Sequence, residues 1–333
     1  MTRPGADPFG EGFQAGSRAR LSLLGGDFTI ESSDSKLLQL AVDAFGGLPR
    51  HRLNSKPHRF KVRLTLSNHK STWPRSKEPP QPVLSAGGGL LCATVDAGNF
   101  AVIDIAMSRA LISVSTKMMQ HPYHARHELI ELAFLTLASR AQQLVPLHAA
   151  CVGAKGNGLL LMGNSATGKS TLSLQALAAG MQYLSEDSAF VELEKLRVTG
   201  VPNYLHVQSD SLAFLPPGTL REQIECAPVI QRRSGAIKHQ FDVRRQRRSI
   251  ARSPLILAGT VFLTRRKAGN KPALKPLDKK SLRLRLRREQ PYAAARENWR
   301  EFERQILTLP AHELNRTEHP QIAVELLRKL LGA

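Results

Sequence analysis

Gly163-Asn164-Ser165-Ala166-Thr167-Gly168-Lys169-Ser170, followed by Thr171, fits the pattern G-x-x-x-x-G-K-[ST]. Each fixed residue type has a physical role. The glycines let the backbone wrap around phosphate oxygens, and successive N–H groups and the N-terminus of the following helix point at the anion. Lys169 can reach the β and γ phosphates, and the Ser170 hydroxyl can ligate Mg2+. At average residue usage the four constrained positions arise by chance in roughly one chain in a hundred of this length. The context agrees: Gly158-Leu-Leu-Leu-Met162 reads as a buried strand entering the loop, and Ser170 to Ala179 as a helix closed by Gly180. The stretch from Gly163 to Thr171 is therefore read as a site for ATP and Mg2+.

Moving outward, Ala149 to Val152 and Leu159 to Met162 are apolar runs joined by Gly153-Ala-Lys-Gly-Asn-Gly158, the pattern of a hairpin feeding the loop. After the helix, Tyr183 to Ser185 and Ala189 to Leu193 flank Glu186-Asp187, an acidic pair ending 18 residues beyond Lys169. Transfer of a phosphoryl group needs cations to stabilise charge and a carboxylate in reach of the nucleophile's proton, and this pair can supply the carboxylate.

From His148 to about Leu193, through L-H-A-A-C-V, G-L-L-L-M-G-N-S-A-T-G-K-S and Y-L-S-E-D-S, the chain resembles the catalytic domain of HPr kinase and its related kinases. That group shares a core with phosphoenolpyruvate carboxykinase. The resemblance implies an α/β fold with a P-loop kinase core, an ATP- and Mg2+-dependent serine kinase activity, and catalytic roles for His148, Lys169, Glu186 and Asp187. It gives the general-base role to Glu186 and a magnesium role to Asp187 beside Ser170. Glutamate replaces the family's usual first aspartate, and one methylene moves a carboxylate by about an ångström, so the base is left open between the two.

A further glycine-rich signature of HPr kinases proper is absent from Arg197 to Pro217, which argues against HPr itself as the acceptor. The expected acceptor is a serine of another peptide or protein, such as a ribosomally made precursor of the lasso type. The resemblance also allows a homo-oligomer. The alternative is a P-loop ATPase or nucleotide switch that binds nucleic acid or a regulatory partner. Carboxykinase chemistry is disfavoured because only the loop and the acidic pair are recognisable.

The N-terminal half reads differently. Residues 1–30 are rich in Gly, Ser and Arg and predict a flexible leader with a short strand near Arg20 to Leu24. Residues 31–143 predict an antiparallel or mixed sheet region. Phe60 to Leu66 alternates with period two, and Gly89 to Val95, Phe100 to Ala106 and Ala110 to Val114 read as a β-meander. The Pro-rich stretch Ser71 to Pro82 is expected to be loop. Arg126 to Leu144 carries one apolar stripe and predicts a helix delivering the chain to the catalytic region 144–333. His121, His124 and His127 recur every three residues, but no further ligand has metal-site spacing, and Pro122 marks a helix start.

The whole chain of 333 residues has 47 Lys+Arg against 27 Asp+Glu, a net charge of +20. Residues 231–290 hold 19 of the basic and 3 of the acidic residues, so about +16 lies in one tract. Within it Leu282-Arg-Leu-Arg-Leu-Arg-Arg288 alternates and favours a strand over a helix. The tract has two phenylalanines and no Tyr or Trp, poor in the platforms on which bases stack. A solvated basic face is one reading of the tract; as a binding surface it fits an acidic acceptor better than nucleic acid, with Lys238 and Arg244 as candidate phosphate or substrate contacts. Three scattered cysteines support neither a disulfide framework nor a cysteine zinc site. With no apolar stretch of membrane length and no signal-like leader, a cytoplasmic protein acting away from membranes is expected.

Overall fold

Alternating side chains bury one face of a strand, and Phe60, Val62 and Leu64 turn inward in this way. The computed structural model describes residues 13–53, 56–71, 73, 74 and 78–333. The chain forms two units, the second made of Gly47–Ser55 with Gln143–Ala333 and the first of the remainder. The first carries β1 (Ser17–Leu23), β2 (Gly26–Ser32), β3 (His58–Ser67), β4 (Val83–Gly87), β5 (Leu90–Asp96), β6 (Asn99–Asp104) and β7 (Arg109–Ser115). They make one sheet of order β1-β2-β3-β7-β6-β5-β4.

The meander β4 to β7 is antiparallel, but β3 lies parallel to both β2 and β7, so the sheet is mixed. Helix Ser35–Phe45 makes the crossover that a parallel β2–β3 pair requires. Its start is capped by Asp34, whose carboxylate accepts the Leu37 N–H at 2.8 Å. Part of the expected leader is ordered sheet, because β1 and β2 pair along their whole length from Ser17 to Ser32. Residues 1–12 lie outside the described residues, as do 72 and 75–77 of the Pro-rich stretch, whose described remainder carries no helix or strand.

The stripe read over 126–144 becomes a π-helical segment, Ala125–Glu131, running into the α-helix Leu132–Ala141. His124 and His127 meet carboxylates one turn on, at 3.2 Å from Glu128 and 3.0 Å from Glu131. Among the described residues no group of three or more His, Cys, Asp or Glu could hold a metal ion.

The second unit contains β8 (Val145–Leu147), β9 (Ala150–Ala154), β10 (Asn157–Met162), β11 (Gln182–Ser185), β12 (Ala189–Glu192), β13 (Arg197–Gly200), β14 (Tyr204–Val207), β15 (Val229–Gln231), β16 (Ile237–Asp242), β17 (Leu255–Lys267), β18 (Leu274–Pro276) and β19 (Ala311–Arg316). The main sheet runs β11-β9-β10-β17-β13-β12-β8, with β19 and β18 added beside β17. It is also mixed: β10 pairs antiparallel with β9 and parallel with β17. Leu160 and Met162 of β10 face a cluster with Leu282, Leu286 and Phe302. Leu159 and Leu161 face Leu172, Ala176, Val324 and Leu327 on the other side. Burial on both faces explains why this strand reads as an unbroken apolar run.

The alternating segment 282–288 is helix, not strand. Asp278 caps Lys279–Glu289 by accepting the Ser281 N–H at 2.9 Å. Leucines two apart are also leucines four apart, so Leu282 and Leu286 are buried while Leu284 is exposed. The arginines pair across to neighbouring elements: Arg287 donates twice to Glu303, at 2.7 and 2.9 Å, and Arg285 meets Glu313. Among the described residues no helix is long and apolar enough to cross a membrane.

Candidate functional site

Antiparallel pairing of β9 with β10 puts the start of β9 at the same sheet edge as the end of β10. β11 is antiparallel to β9 and therefore ends at that edge too. The residues just beyond these strand ends are His148, Gly163 to Gly168, and Glu186-Asp187. Side chains far apart in sequence thus meet at the carboxyl ends of β10 and β11 and the amino end of β9.

Between β10 and helix Lys169–Ala178 the loop depends on two glycines in the left-handed region, Gly163 at φ +146° and Gly168 at +100°. A Cβ on Gly163 would also lie 2.9 Å from the Leu263 carbonyl oxygen, so only glycine fits between the loop and β17. Ala166 takes a positive φ as well, +62°. Thr167 closes the turn, its hydroxyl donating to the Asn164 carbonyl at 2.9 Å, while Arg265 at the end of β17 donates to the Ser165 carbonyl at 2.8 Å. The Thr171 hydroxyl lies 2.8 Å from that of Ser211.

Lys169 folds back over this loop, donating to the Gly163 carbonyl at 2.5 Å and the Asn164 carbonyl at 3.4 Å. Burial lowers its pKa, opposed by the attraction of Asp187, Glu289 and Glu186. The sequence pattern did not single out Glu289, the last residue of helix Lys279–Glu289. Its neighbour Gln290 does more for the geometry: the Gln290 amide accepts the His148 N–H at 2.8 Å and donates to the His148 carbonyl at 3.0 Å. His148 is thereby fixed by its backbone while its ring stays free to meet solvent.

The adjacent acids occupy opposite surroundings. Glu186 is buried, with one oxygen accepting the Ser170 hydroxyl at 2.5 Å and the other accepting the His206 N–H at 2.9 Å. The His206 Nδ1 lies 3.2 Å from the same oxygen and 3.1 Å from Arg232 Nη2. Nδ1 carrying a proton serves Glu186, and bare Nδ1 accepts from Arg232, so the ring's tautomer links the acid to the arginine. Burial by itself would raise the Glu186 pKa; the His206 side chain, the Ser170 hydroxyl and the His206 N–H outweigh it and bring it to about 2. Asp187 instead points outward, its side chain 44% exposed, with one oxygen 3.1 Å from His148 Nδ1.

The structure thus gathers Gly163 to Thr171, His148, Glu186 and Asp187 in one place, and adds His206, Arg232 and Gln290. Of the two basic-tract candidates, Lys238 lies within electrostatic reach of Glu186, Asp187 and Lys169. Arg244 is engaged elsewhere, gripping both oxygens of Asp242 at 2.7 and 2.9 Å and lying over the Tyr204 ring at 5.2 Å. Beside the loop a cavity of about 260 Å³ is lined by Thr167, Thr171, Phe214, Arg265, Asn315 and Arg316, among others.

No protein-family model matches the chain, and no curated protein matches it in sequence. Among solved structures, it is similar to the Hpr(Ser) kinase/phosphatase from Coxiella burnetii. The two are 14% identical, with 55% of this chain and 94% of that one covered, at a TM-score of 0.29.

Proposed function

We propose that the chain is an ATP-dependent kinase that transfers the γ-phosphoryl group to a serine hydroxyl of a peptide or protein. One observation carries the reading: a strand–loop–helix with two left-handed glycines and an inward lysine meets two carboxylates in unlike environments at one sheet edge. The loop N–H groups and Lys169 hold the phosphates, displacing the lysine from the Gly163 carbonyl. The adjoining cavity of about 260 Å³ takes the nucleoside.

The donor set fits Mg2+. The Ser170 hydroxyl and a Glu186 oxygen lie 2.5 Å apart at the start of the helix, and both are hard oxygen donors. Mg2+ commonly takes one or two protein oxygens and completes its shell with phosphates and water, so a triad of protein ligands is not needed. When bound it neutralises charge on the phosphate oxygens. We place Glu186 on this side of the site because it bonds Ser170 and, with a pKa of about 2, is a poor proton acceptor.

Asp187 is then the general base. Its carboxylate is exposed to an incoming hydroxyl and lies 3.1 Å from the His148 ring, which Gln290 steadies. The serine oxygen forms a bond to phosphorus as the bond to the leaving ADP oxygen breaks, and the hydroxyl proton passes to Asp187. Lys169 offsets charge on the transferring group. Calorimetric titration of MgATP into the wild type and Lys169→Ala tests the nucleotide site. Saturable binding, lost by about 100-fold or more in the variant, is expected. Equal affinity in both would reject the reading.

A further inference from the structure

The small sheet of order β14-β16-β15 sorts its side chains by register. His206 pairs with Gln240, Ile230 with Lys238, and the Arg232 N–H donates to the Ala236 carbonyl at 2.9 Å to close the β15–β16 hairpin. Alternation therefore puts His206, Gln240, Lys238, Ile230 and Arg232 on one face. Val229, Gln231 and Ile237 fall on the other, where Val229 is 59% and Ile237 65% exposed.

The first face is the one that meets the acidic pair, because His206 on it touches Glu186. On it Arg232 reaches His206 through Nη2, while its Nε is buried with no hydrogen-bond partner among the described residues. Lys238 is half-buried nearby. Burial and then the charge of Arg232 lower its pKa; Glu186 and Asp187 oppose this, and Lys169 adds to it. Two like charges on one half-buried face repel each other, and an Arg N–H left without an acceptor costs free energy. An oxyanion entering between them relieves both penalties, and the flat guanidinium fork suits the oxygens of a phosphoryl group.

We infer that Arg232 and Lys238 form an anion clamp that engages the terminal phosphoryl group of a nucleoside triphosphate. The inference rests on the nucleotide reading of the loop and extends it to residues that no loop motif contains. The loop and Lys169 hold what ATP and ADP share; the clamp reads what only the triphosphate has. Drawing Arg232 to a phosphoryl oxygen also leaves His206 Nδ1 to serve Glu186 alone.

The test is calorimetry on the full chain with two probes, MgADP and the magnesium complex of the non-hydrolysable β,γ-imido analogue of ATP. The wild type is expected to favour the analogue by about 10-fold or more, as a cationic contact to the γ-phosphoryl requires. Arg232→Ala and Lys238→Met should each bring that ratio toward one by weakening the analogue far more than MgADP, and Arg232→Lys should keep part of it. Ile237→Ser, at an exposed position on the opposite face, should alter neither affinity. Thermal melts of all variants separate folding defects from binding defects. A wild-type ratio near one, or variants that keep the wild-type ratio, overturns the clamp while leaving the nucleotide site standing. Binding of neither probe by the wild type removes the nucleotide reading and the clamp with it.

Discussion

Glu186 and Asp187 are neighbours in the chain, yet one niche is closed and the other open. The closed niche holds its carboxylate between Ser170 and His206, fully ionised and fully bonded. The open niche leaves a carboxylate half-exposed beside a histidine that is itself 52% exposed. In the bend just past β11 the Glu186 side chain is buried and the Asp187 side chain half-exposed, so a dipeptide suffices to build two unlike sites. The difference teaches that two acids side by side can have separate roles, one built to hold and the other to exchange a proton.

The strongest way to break this contrast is to remove each acid in turn. Asp187→Asn keeps size and loses basicity, and turnover should fall by about 10²- to 10⁴-fold with nucleotide affinity unchanged; steady-state kinetics and calorimetry read the two quantities. Glu186→Gln should act the other way, weakening Mg2+ affinity by about 10- to 100-fold, seen as a rise in the magnesium concentration for half-maximal rate. If the two variants gave the same signature, the division of roles would collapse.

Acid titration sharpens the same point. The folded pKa of Glu186, about 2, lies below its ordinary 4.5, so the unfolded chain takes up the proton first. Its contribution to stability is complete above 4.5 and is lost as the pH falls toward about 2. Denaturation followed across this window should show a steep decline that Glu186→Gln flattens.

A smaller effect is expected at Gln290. Gln290→Ala removes both bonds to the His148 backbone and should cost about 1–2 kcal/mol in a denaturant melt. Turnover should also fall as the His148–Asp187 contact loosens, while Mg2+ dependence stays as in the wild type.

Much of this site could be read from the chain because the loop is local. The conformations at Gly163 and Gly168 call for glycine, and Lys169 and Ser170 follow at once in sequence. The strand, the hairpin before it and the acidic pair after it lie within forty residues, and their apolar runs mark them. The other members are illegible for a physical reason. His206 reaches Glu186 from 20 residues away, Arg232 reaches His206 from 26, and Gln290 reaches His148 from 142. Their roles come from tertiary pairing, which leaves no local pattern. The segment 282–288 misleads because leucines spaced by two satisfy both a strand and, at every second leucine, a helix; the Asp278 cap and the Glu303 and Glu313 partners decide for the helix.

The same pairing divides the basic tract. In its helix, Arg285 and Arg287 are neutralised by Glu313 and Glu303, whereas on the hairpin Arg232 meets His206 and Lys238 lies within electrostatic reach of the acidic pair. A high net charge therefore says little until its partners are known. Here part of it is held in ion pairs on the helix and part forms a small cationic face beside Glu186.

The most direct test is transfer of label from γ-labelled ATP to a panel of serine-containing peptides, acidic and neutral, by the wild type and by Asp187→Asn. The account predicts phosphoserine on at least one peptide with the wild type and less by about 10²-fold or more with Asp187→Asn, although the variant still binds MgATP. ATP hydrolysis stimulated by RNA or DNA, with no labelled peptide from the wild type, would contradict it.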